Sequence, residues 1–349
     1  MGVWAVLVCV LACASVGAEA ISAKPFPAFF IFGDSLVDVG NNNYIISVAK
    51  ANNLPFGIDF PKGPTGRFTN GKTVLDVISE LISLPYPPPY LDPKVRGSAL
   101  LQGVNYASGA AGILRSSGFN FIGRVDFDTQ IDWFENTLSQ LNQQIGESAT
   151  KDLIAKSLVA TVFGSNDYVN NYLLSYAPIN KVYTTDQLKF VLLNKTAEQI
   201  KRIYNLGARL IAVSNIGPLG CIPSQLVRQR SVNGECSEYV NGLASDFNQG
   251  LEGILKQLEQ ELPGSKIVYA DVYTNVLAYV QNPPKYGFKS GSMACCGRGK
   301  YKGQLLCLPI LKACPNRKDF VFWDAFHPCE AANEILGRAL YEGLKINIS

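Results

Sequence analysis

The chain has few or none of several residue types and sequence patterns. Each of these absences limits the functions that the chain can have. It has one histidine in 349 residues, so His327 is the only imidazole that can act as a base near neutral pH. Lysine and arginine occur without a basic block, which argues against a nucleic-acid partner. No apolar run of roughly 18 residues follows the N-terminal segment, so we expect no transmembrane helix.

Two common catalytic motifs are also missing. Val37 stands where the nucleophile elbow G-x-S-x-G of α/β-hydrolases would place its second glycine after Ser35. The glycines of residues 297–300 follow a cysteine pair instead of a strand and lack the G-K-[ST] ending of a phosphate loop. Neither of these two motifs therefore explains what the chain does.

Residues 1–20 are typical of a secretory signal peptide. Residues 3–14 form an apolar run too short to span a bilayer, and Ala18 and Ala20 supply the small residues of a cleavage site. Cleavage after Ala20 removes Glu19 and raises the formal net charge from +3 to +4. We expect residues 21–349 to form one secreted, extracellular domain whose mild basicity suits an acidic extracellular matrix or weak adhesion to anionic polysaccharide. Cell-wall or cuticle components are the expected partners outside the cell. The sequons at Asn194 and Asn347 are predicted glycosylation sites and fit the same compartment.

Seven of the nine cysteines lie beyond residue 20, and in an oxidising compartment six of them are expected to pair. Cys221 and Cys236 are far from the others in sequence and are predicted to bond to each other. Cys329, two residues after the histidine, is predicted to be the free thiol.

The other four cysteines form a cluster. Adjacent Cys295 and Cys296 are not expected to bond to each other, so each should pair with Cys307 or Cys314, and both connectivities stay open. A zinc site is the alternative for this cluster, but the lack of a second histidine argues against it. We therefore predict neither a metal nor a cofactor.

Short β-rich runs alternate with longer amphipathic segments. The predicted strands are residues 28–32, 103–107, 158–163, 209–215 and 266–270. The predicted helices are residues 129–145, 185–206, 235–262 and 330–344. This alternation predicts an α/β fold with a parallel sheet covered on both sides, and places function at the carboxyl ends of the strands. Two proline-rich segments, residues 52–71 and 84–93, are interpreted as rigid surface loops in preference to walls of a substrate cleft.

A serine, a histidine and an aspartate occur in positions that suit acyl transfer. Ser35 directly follows the first predicted strand, and Asp324 precedes His327 by three residues. A serine nucleophile needs a base, and the base needs a group that fixes its tautomer, so these residues are candidates for the three roles. Acyl transfer also needs donors for the developing oxyanion. The candidates are the backbone N–H groups of Ser35 and Gly109 and the side-chain amide of Asn166.

Four sequence blocks together resemble the plant GDSL esterase/lipases of the SGNH hydrolase superfamily. The blocks are residues 33–43, 103–112 and 164–167, and the pair Asp324 and His327. The resemblance runs from about Phe26 to the last predicted helix and implies a three-layer α/β/α sandwich with a flavodoxin-like parallel sheet of about five strands. It implies Ser35 as nucleophile, Gly109 and Asn166 as oxyanion donors, and Asp324 with His327 as the other triad members.

One position departs from the family pattern. Cys329 stands where family members usually have Thr or Ser, whose hydroxyl could cap the last helix. A thiol does so poorly, so the departure is expected to weaken this local cap and to leave the triad unaffected.

The resemblance favours a secreted carboxylic-ester hydrolase that acts on acyl or acetyl esters. The alternative is an extracellular acyltransferase that builds a cutin-type polyester with the same triad. A non-catalytic wall-binding protein on the same scaffold is a third hypothesis, and the intact Ser35, Asp324, His327 and Asn166 argue against it.

Overall fold

The computed structural model describes residues 24–348, so the predicted signal peptide and its cleavage site lie outside the described residues. The strands are β1 (Phe29–Gly33), β2 (Leu158–Val162), β3 (Leu210–Ser214), β4 (Lys266–Ala270), β5 (Ser290–Ala294) and β6 (Phe320–Phe322). The α-helices are α1 (Val74–Leu81), α2 (Phe127–Ile145), α3 (Glu147–Lys156), α4 (Ser165–Asp167), α5 (Ile179–Val182), α6 (Thr185–Asn205), α7 (Pro223–Arg228), α8 (Glu238–Glu261), α9 (Val272–Gln281) and α10 (Glu330–Ile348).

The main sheet is parallel, with the strand order β1-β2-β3-β4. Residues 103–108 run beside β1, where the Ile31 N–H donates to Val104 O at 3.0 Å and the Tyr106 N–H to Ile31 O at 2.7 Å. This segment forms only isolated bridges, at Asn105, so the prediction of a regular strand over 103–107 is wrong. With the segment counted as second in the chain, the order is 2-1-3-4-5, as in flavodoxin, and the predicted fold class is confirmed.

The two faces of the main sheet are covered by different helices. Phe30 and Phe32 of β1 pack against Phe134 of α2, with ring centroids 5.3 and 5.5 Å apart. The opposite face of the sheet looks toward α1 and α10. The serine that follows β1 and the asparagine that follows β2 thus lie next to each other at the carboxyl edge, as expected for parallel neighbours.

A second, two-stranded parallel sheet was not predicted. It pairs β5 with β6 and continues past both strands, since the Cys295 N–H donates to Phe322 O at 3.0 Å and the Cys296 N–H to Trp323 O at 2.7 Å. The short, polar Ser290–Ala294 run gave no strand pattern in the sequence. This small sheet fixes the start of the loop that carries Asp324 and His327.

Six cysteines pair as disulfides, and the connectivity left open by the sequence is resolved. The pairs are Cys221–Cys236, Cys295–Cys314 and Cys296–Cys307. Cys329 carries a free, buried thiol. No helix within residues 24–348 is long and apolar enough to cross a membrane. Of the two predicted glycosylation sites, Asn194 is exposed on α6 and Asn347 is exposed in the last turn of α10.

Candidate active site

Ser35 lies in a tight turn at the carboxyl end of β1. Asp34 makes the turn, because its carbonyl accepts the N–H groups of Val37 and Asp38 at 3.3 and 3.0 Å while its Oδ1 accepts the Leu36 N–H at 2.9 Å. Gly33 leaves space for this turn, since a Cβ at that position would come within 2.9 Å of Val162 O. The Ser35 N–H has no acceptor among the described residues.

Asp324 and His327 lie on a short loop after β6. The Trp323 N–H donates to His327 O at 2.8 Å, which closes the loop, and Asp324 Oδ1 accepts the N–H groups of Phe326 and His327 at 2.9 and 2.8 Å. His327 Nδ1 lies 2.8 and 3.0 Å from the two carboxylate oxygens of Asp324. His327 Nε2 lies 2.8 Å from Ser35 Oγ. The structure therefore brings together the three residues that the sequence singled out.

Asn166 lies in α4, one turn beyond β2, and is buried. Its Nδ2 donates to Ala111 O at 2.9 Å and more weakly to Asp34 Oδ2 at 3.3 Å. Its Oδ1 accepts the Asn170 amide at 2.7 Å, which fixes the orientation of the Asn166 side chain. The long contact to Asp34 is the weaker of the two donated bonds and the one that a competing acceptor would replace more easily.

Gly109 does not present a free N–H. Its N–H donates to Asp38 Oδ2 at 2.9 Å, while Asp38 Oδ1 accepts the N–H groups of Gly40 and Asn41 at 2.8 Å each. The next residue, Ala110, lines the cavity at Ser35, has φ +69°, and its N–H has no acceptor among residues 24–348. Positive φ is uncommon for a residue with a Cβ, and such strain is often found at functional sites. The sequence offered no signal that would favour Ala110 over its glycine neighbour.

Three buried carboxyl groups lie next to the Ser35 site. Burial raises the pKa of Asp34 to about 7 and the pKa values of Asp38 and Asp167 to about 6. Asp167 accepts the N–H groups of Ile113 and Leu114 at 2.8 and 2.9 Å and the Ser117 hydroxyl at 2.7 Å. Asp38 and Asp167 thus hold the two ends of the segment that follows residue 108.

The loop formed by residues 52–71 is a wall of the site, which differs from our interpretation of it as a surface loop. Phe68 packs against the His327 ring with centroids 5.2 Å apart, and Phe56 packs edge-on to Trp323. Arg67 anchors the loop through two hydrogen bonds to Asp76 of α1, at 2.7 and 2.8 Å. By contrast, residues 84–93 do not line this cavity; their backbone pairs with Asn105 at the edge of the main sheet.

The start of α10 is capped by the same loop. Asn70 Oδ1 accepts the Glu330 N–H at 2.9 Å, and the Glu330 carboxylate accepts the Lys72 N–H at 3.0 Å. The Asn70 amide therefore supplies a cap that the Cys329 thiol cannot. Burial raises the pKa of the Cys329 thiol well above its usual value, so this side chain is a neutral packing group.

The site opens into a cavity of about 490 Å³, within the usual size range for small-molecule sites. Ser35, Asn166, Asp324 and His327 all line it. Among the described residues, no cluster of three or more His, Cys, Asp or Glu side chains could hold a metal ion.

A parallel α/β sheet with a hydrogen-bonded serine, histidine and aspartate at its carboxyl edge defines the class of α/β enzymes with a serine-centred site. Comparison with known families narrows the class. The family described as GDSL-like Lipase/Acylhydrolase matches residues 29–340. The chain therefore belongs to this family and is a carboxylic-ester hydrolase.

Named relatives agree over most of the chain. GDSL esterase/lipase At1g71250 of Arabidopsis thaliana is 46% identical over 91% of this chain and 85% of its own length. GDSL esterase/lipase 7 of the same plant is 45% identical over 89% of this chain and 86% of its own. GDSL esterase/lipase LTL1, also from Arabidopsis thaliana, is 40% identical over 90% and 87% of the two chains.

Proposed function

We propose that this chain is a secreted serine esterase that acts through an acyl-enzyme on Ser35. The observation that carries the proposal is the chain of hydrogen bonds that links Ser35, His327 and Asp324. Ser35 Oγ lies 2.8 Å from His327 Nε2, and Asp324 Oδ1 lies 2.8 Å from His327 Nδ1. In this arrangement Nδ1 carries the proton and donates to Asp324, and Nε2 is free to accept the proton of the serine hydroxyl.

The reaction follows from this geometry. Ser35 Oγ attacks the ester carbonyl carbon while His327 Nε2 takes the hydroxyl proton, and the resulting imidazolium is stabilised by the Asp324 carboxylate. The tetrahedral intermediate collapses with loss of the alcohol, which receives the proton from Nε2. Water then attacks the acyl-enzyme, giving up a proton to His327, and the carboxylic acid leaves as Ser35 recovers its proton.

The oxyanion needs donors that are not already used. We assign them to the Ser35 N–H, the Asn166 amide and the Ala110 N–H. The two backbone groups lack acceptors among residues 24–348, and the amide can exchange its 3.3 Å contact with Asp34 for the oxyanion. Gly109, the donor implied by the family resemblance, instead supports the turn through Asp38.

The test is Ser35→Ala in purified protein, assayed with p-nitrophenyl esters of graded chain length. We expect the wild-type enzyme to be labelled once by an organophosphonate, with the modification mapped to Ser35, and the variant to be unlabelled and inactive. Ser148→Ala, which changes an exposed serine on α3, is the control and should retain full activity. Near-normal turnover by the Ser35→Ala protein would contradict the proposal. An added alcohol acceptor separates hydrolysis from acyl transfer, because an acyltransferase would form the new ester instead of the free acid.

Secretion and glycosylation are part of the same proposal. Three disulfides are typical of an oxidising compartment, and the exposed Asn194 is accessible to a glycan. N-terminal sequencing of protein from the culture medium should begin at Ile21, and deglycosylation should lower its mass. Recovery of the unprocessed chain inside the cell would contradict this part.

A further inference from the structure

The face of the main sheet that looks toward α10 is incompletely covered. Ala160 of β2 and Ala212 of β3 are paired in register on that face, so two neighbouring strands present small side chains side by side. Ala212 is partly exposed although strands flank β3 on both sides. A fully packed core would leave no accessible surface at such a position.

The opposite wall is one side of α10. Leu336, Ala339, Leu340, Gly343 and Leu344 line the space, and they follow the spacing of a single helix face. Gly343 shows how open the space is, because a Cβ built on it would meet no atom within 4 Å. We call this space between the sheet and α10 the acyl slot; it is lined by Ala160 and Ala212 on one side and by these five residues of α10 on the other.

The acyl slot is continuous with the Ser35 site, since a single cavity is lined by both sets of residues. Its length follows from the two walls. The sheet wall runs from Val162 back to Leu158, which is about 13 Å at the rise of a strand. The helix wall runs from Leu336 to Leu344, which is about 12 Å at the rise of a helix. The two estimates agree.

The chemistry of the walls selects an unbranched apolar ligand. Two polar lining residues lie near the mouth, Ser214 at the carboxyl end of β3 and Asn333 in the first turn of α10. Beyond them, the lining residues of the sheet (Phe29, Leu158, Ala160, Ala212 and Val268) and the lining residues of α10 opposite them are all apolar. Such walls offer no partner for a sugar hydroxyl or a charge. An extended alkyl chain advances about 1.25 Å per carbon, from a C–C bond of about 1.5 Å at tetrahedral angles, so the slot accommodates about ten carbons.

We propose that the acyl slot binds the acyl chain of the ester substrate, so that the preferred substrates carry chains of about ten carbons and not acetyl groups. This proposal depends on the proposed function in one respect, which is that Ser35 Oγ is the atom that becomes acylated. Each methylene that enters the slot leaves water, which is worth about a fourfold gain in kcat/KM.

The test compares p-nitrophenyl butanoate with p-nitrophenyl decanoate. We expect the wild-type enzyme to prefer decanoate at least tenfold in kcat/KM. Gly343→Leu and Ala212→Leu, which fill the slot from opposite walls, should abolish this preference, because they obstruct the longer decanoyl chain more than the butanoyl chain. Gly253→Leu is the matched control, since it also changes a helical glycine with open space beside it, but on the exposed side of α8. Equal chain-length profiles in the wild type and both slot variants would overturn the proposal.

A binding measurement separates the slot from the catalytic assignment. Decanoate should bind the Ser35→Ala protein in calorimetry, and Gly343→Leu in the same background should weaken the binding at least tenfold. Hydrolysis of no ester at any chain length would refute the proposed function, whereas the calorimetric result would still decide the slot. Absence of decanoate binding to a folded Ser35→Ala protein would refute the slot.

Discussion

Asp324→Asn is the sharpest test of how the histidine is held. Asp324 Oδ1 accepts two backbone N–H groups and lies 2.8 Å from His327 Nδ1, and Oδ2 lies 3.0 Å from the same nitrogen. An asparagine keeps one oxygen for the backbone donors, so the loop is retained. Its NH₂ group then replaces Oδ2 and can only donate to Nδ1. This donor favours the tautomer with the proton on Nε2, which points at Ser35 Oγ and cannot accept the serine proton. The neutral amide also stabilises the imidazolium less than the carboxylate does.

The expected loss in kcat is about 10²- to 10⁴-fold, which corresponds to about 2.7 to 5.4 kcal/mol of transition-state stabilisation. The assay is steady-state hydrolysis of a p-nitrophenyl ester, together with a thermal melt to establish that the variant is folded. Asp319→Asn is the control; this residue directly precedes β6 and pairs with Lys289 at the surface, so activity should stay near wild type. A folded Asp324→Asn enzyme that keeps a tenth or more of the wild-type kcat would refute the reasoning.

Four further outcomes are expected. Asn166→Ala should lower kcat by about 10²- to 10³-fold with little change in KM, because an oxyanion donor acts mainly in the transition state; a loss confined to KM would assign the residue to substrate binding. The double change of Cys296 and Cys307 to serine removes a bridge with a sequence separation of 11, and should lower the free energy of unfolding by about 3 kcal/mol in a denaturant titration; an unchanged midpoint would contradict this. The melting temperature should be higher at pH 5 than at pH 7.5, because burial raises the pKa values of Asp34 and Asp167 to about 7 and about 6; between about pH 4 and 7 the folded state then binds more protons than the unfolded state, so stability falls as pH rises through that window. A flat melting temperature over this range would show that the carboxyl groups are not destabilised by burial. Activity should survive dialysis against a chelator, since serine chemistry needs no metal, and a divalent-ion requirement after dialysis would contradict the assignment.

Local patterns predicted the strands of the main sheet and the proximity of the candidate site residues well. The four strands of the main sheet and the long helices α2, α6, α8 and α10 follow from apolar runs and amphipathic spacing. Ser35 and Asn166 were placed at one edge because parallel strands end together, and Asp324 with His327 because three residues fit one loop.

Features that depend on contacts between distant segments were not predictable in the same way. Asn70 caps a helix that begins 260 residues later, and nothing in the local sequence around Asn70 indicates that partner. The Gly109 N–H donates to the buried Asp38 carboxylate because the local backbone brings the two groups together, and residue type alone does not indicate this contact. The acyl slot arises from two alanines that become neighbours only when β2 and β3 pair. Sequence periodicity marks which face of an element is apolar but not whether the opposite element fills the space.

The separation of Ser35 and His327 by 292 residues has a consequence for synthesis of the enzyme. Chains are made from the N-terminus at about 5 to 20 residues per second, so Ser35, the proposed nucleophile, is made roughly 15 to 60 seconds before His327, the proposed base. During that interval the nascent chain has no imidazole at all, because His327 is the only histidine. Under the proposed mechanism, ester cleavage cannot begin until the C-terminal segment has been made and its loop has docked beside Ser35. Esterase activity therefore requires both the sheet that positions Ser35 and the docked C-terminal loop that carries His327.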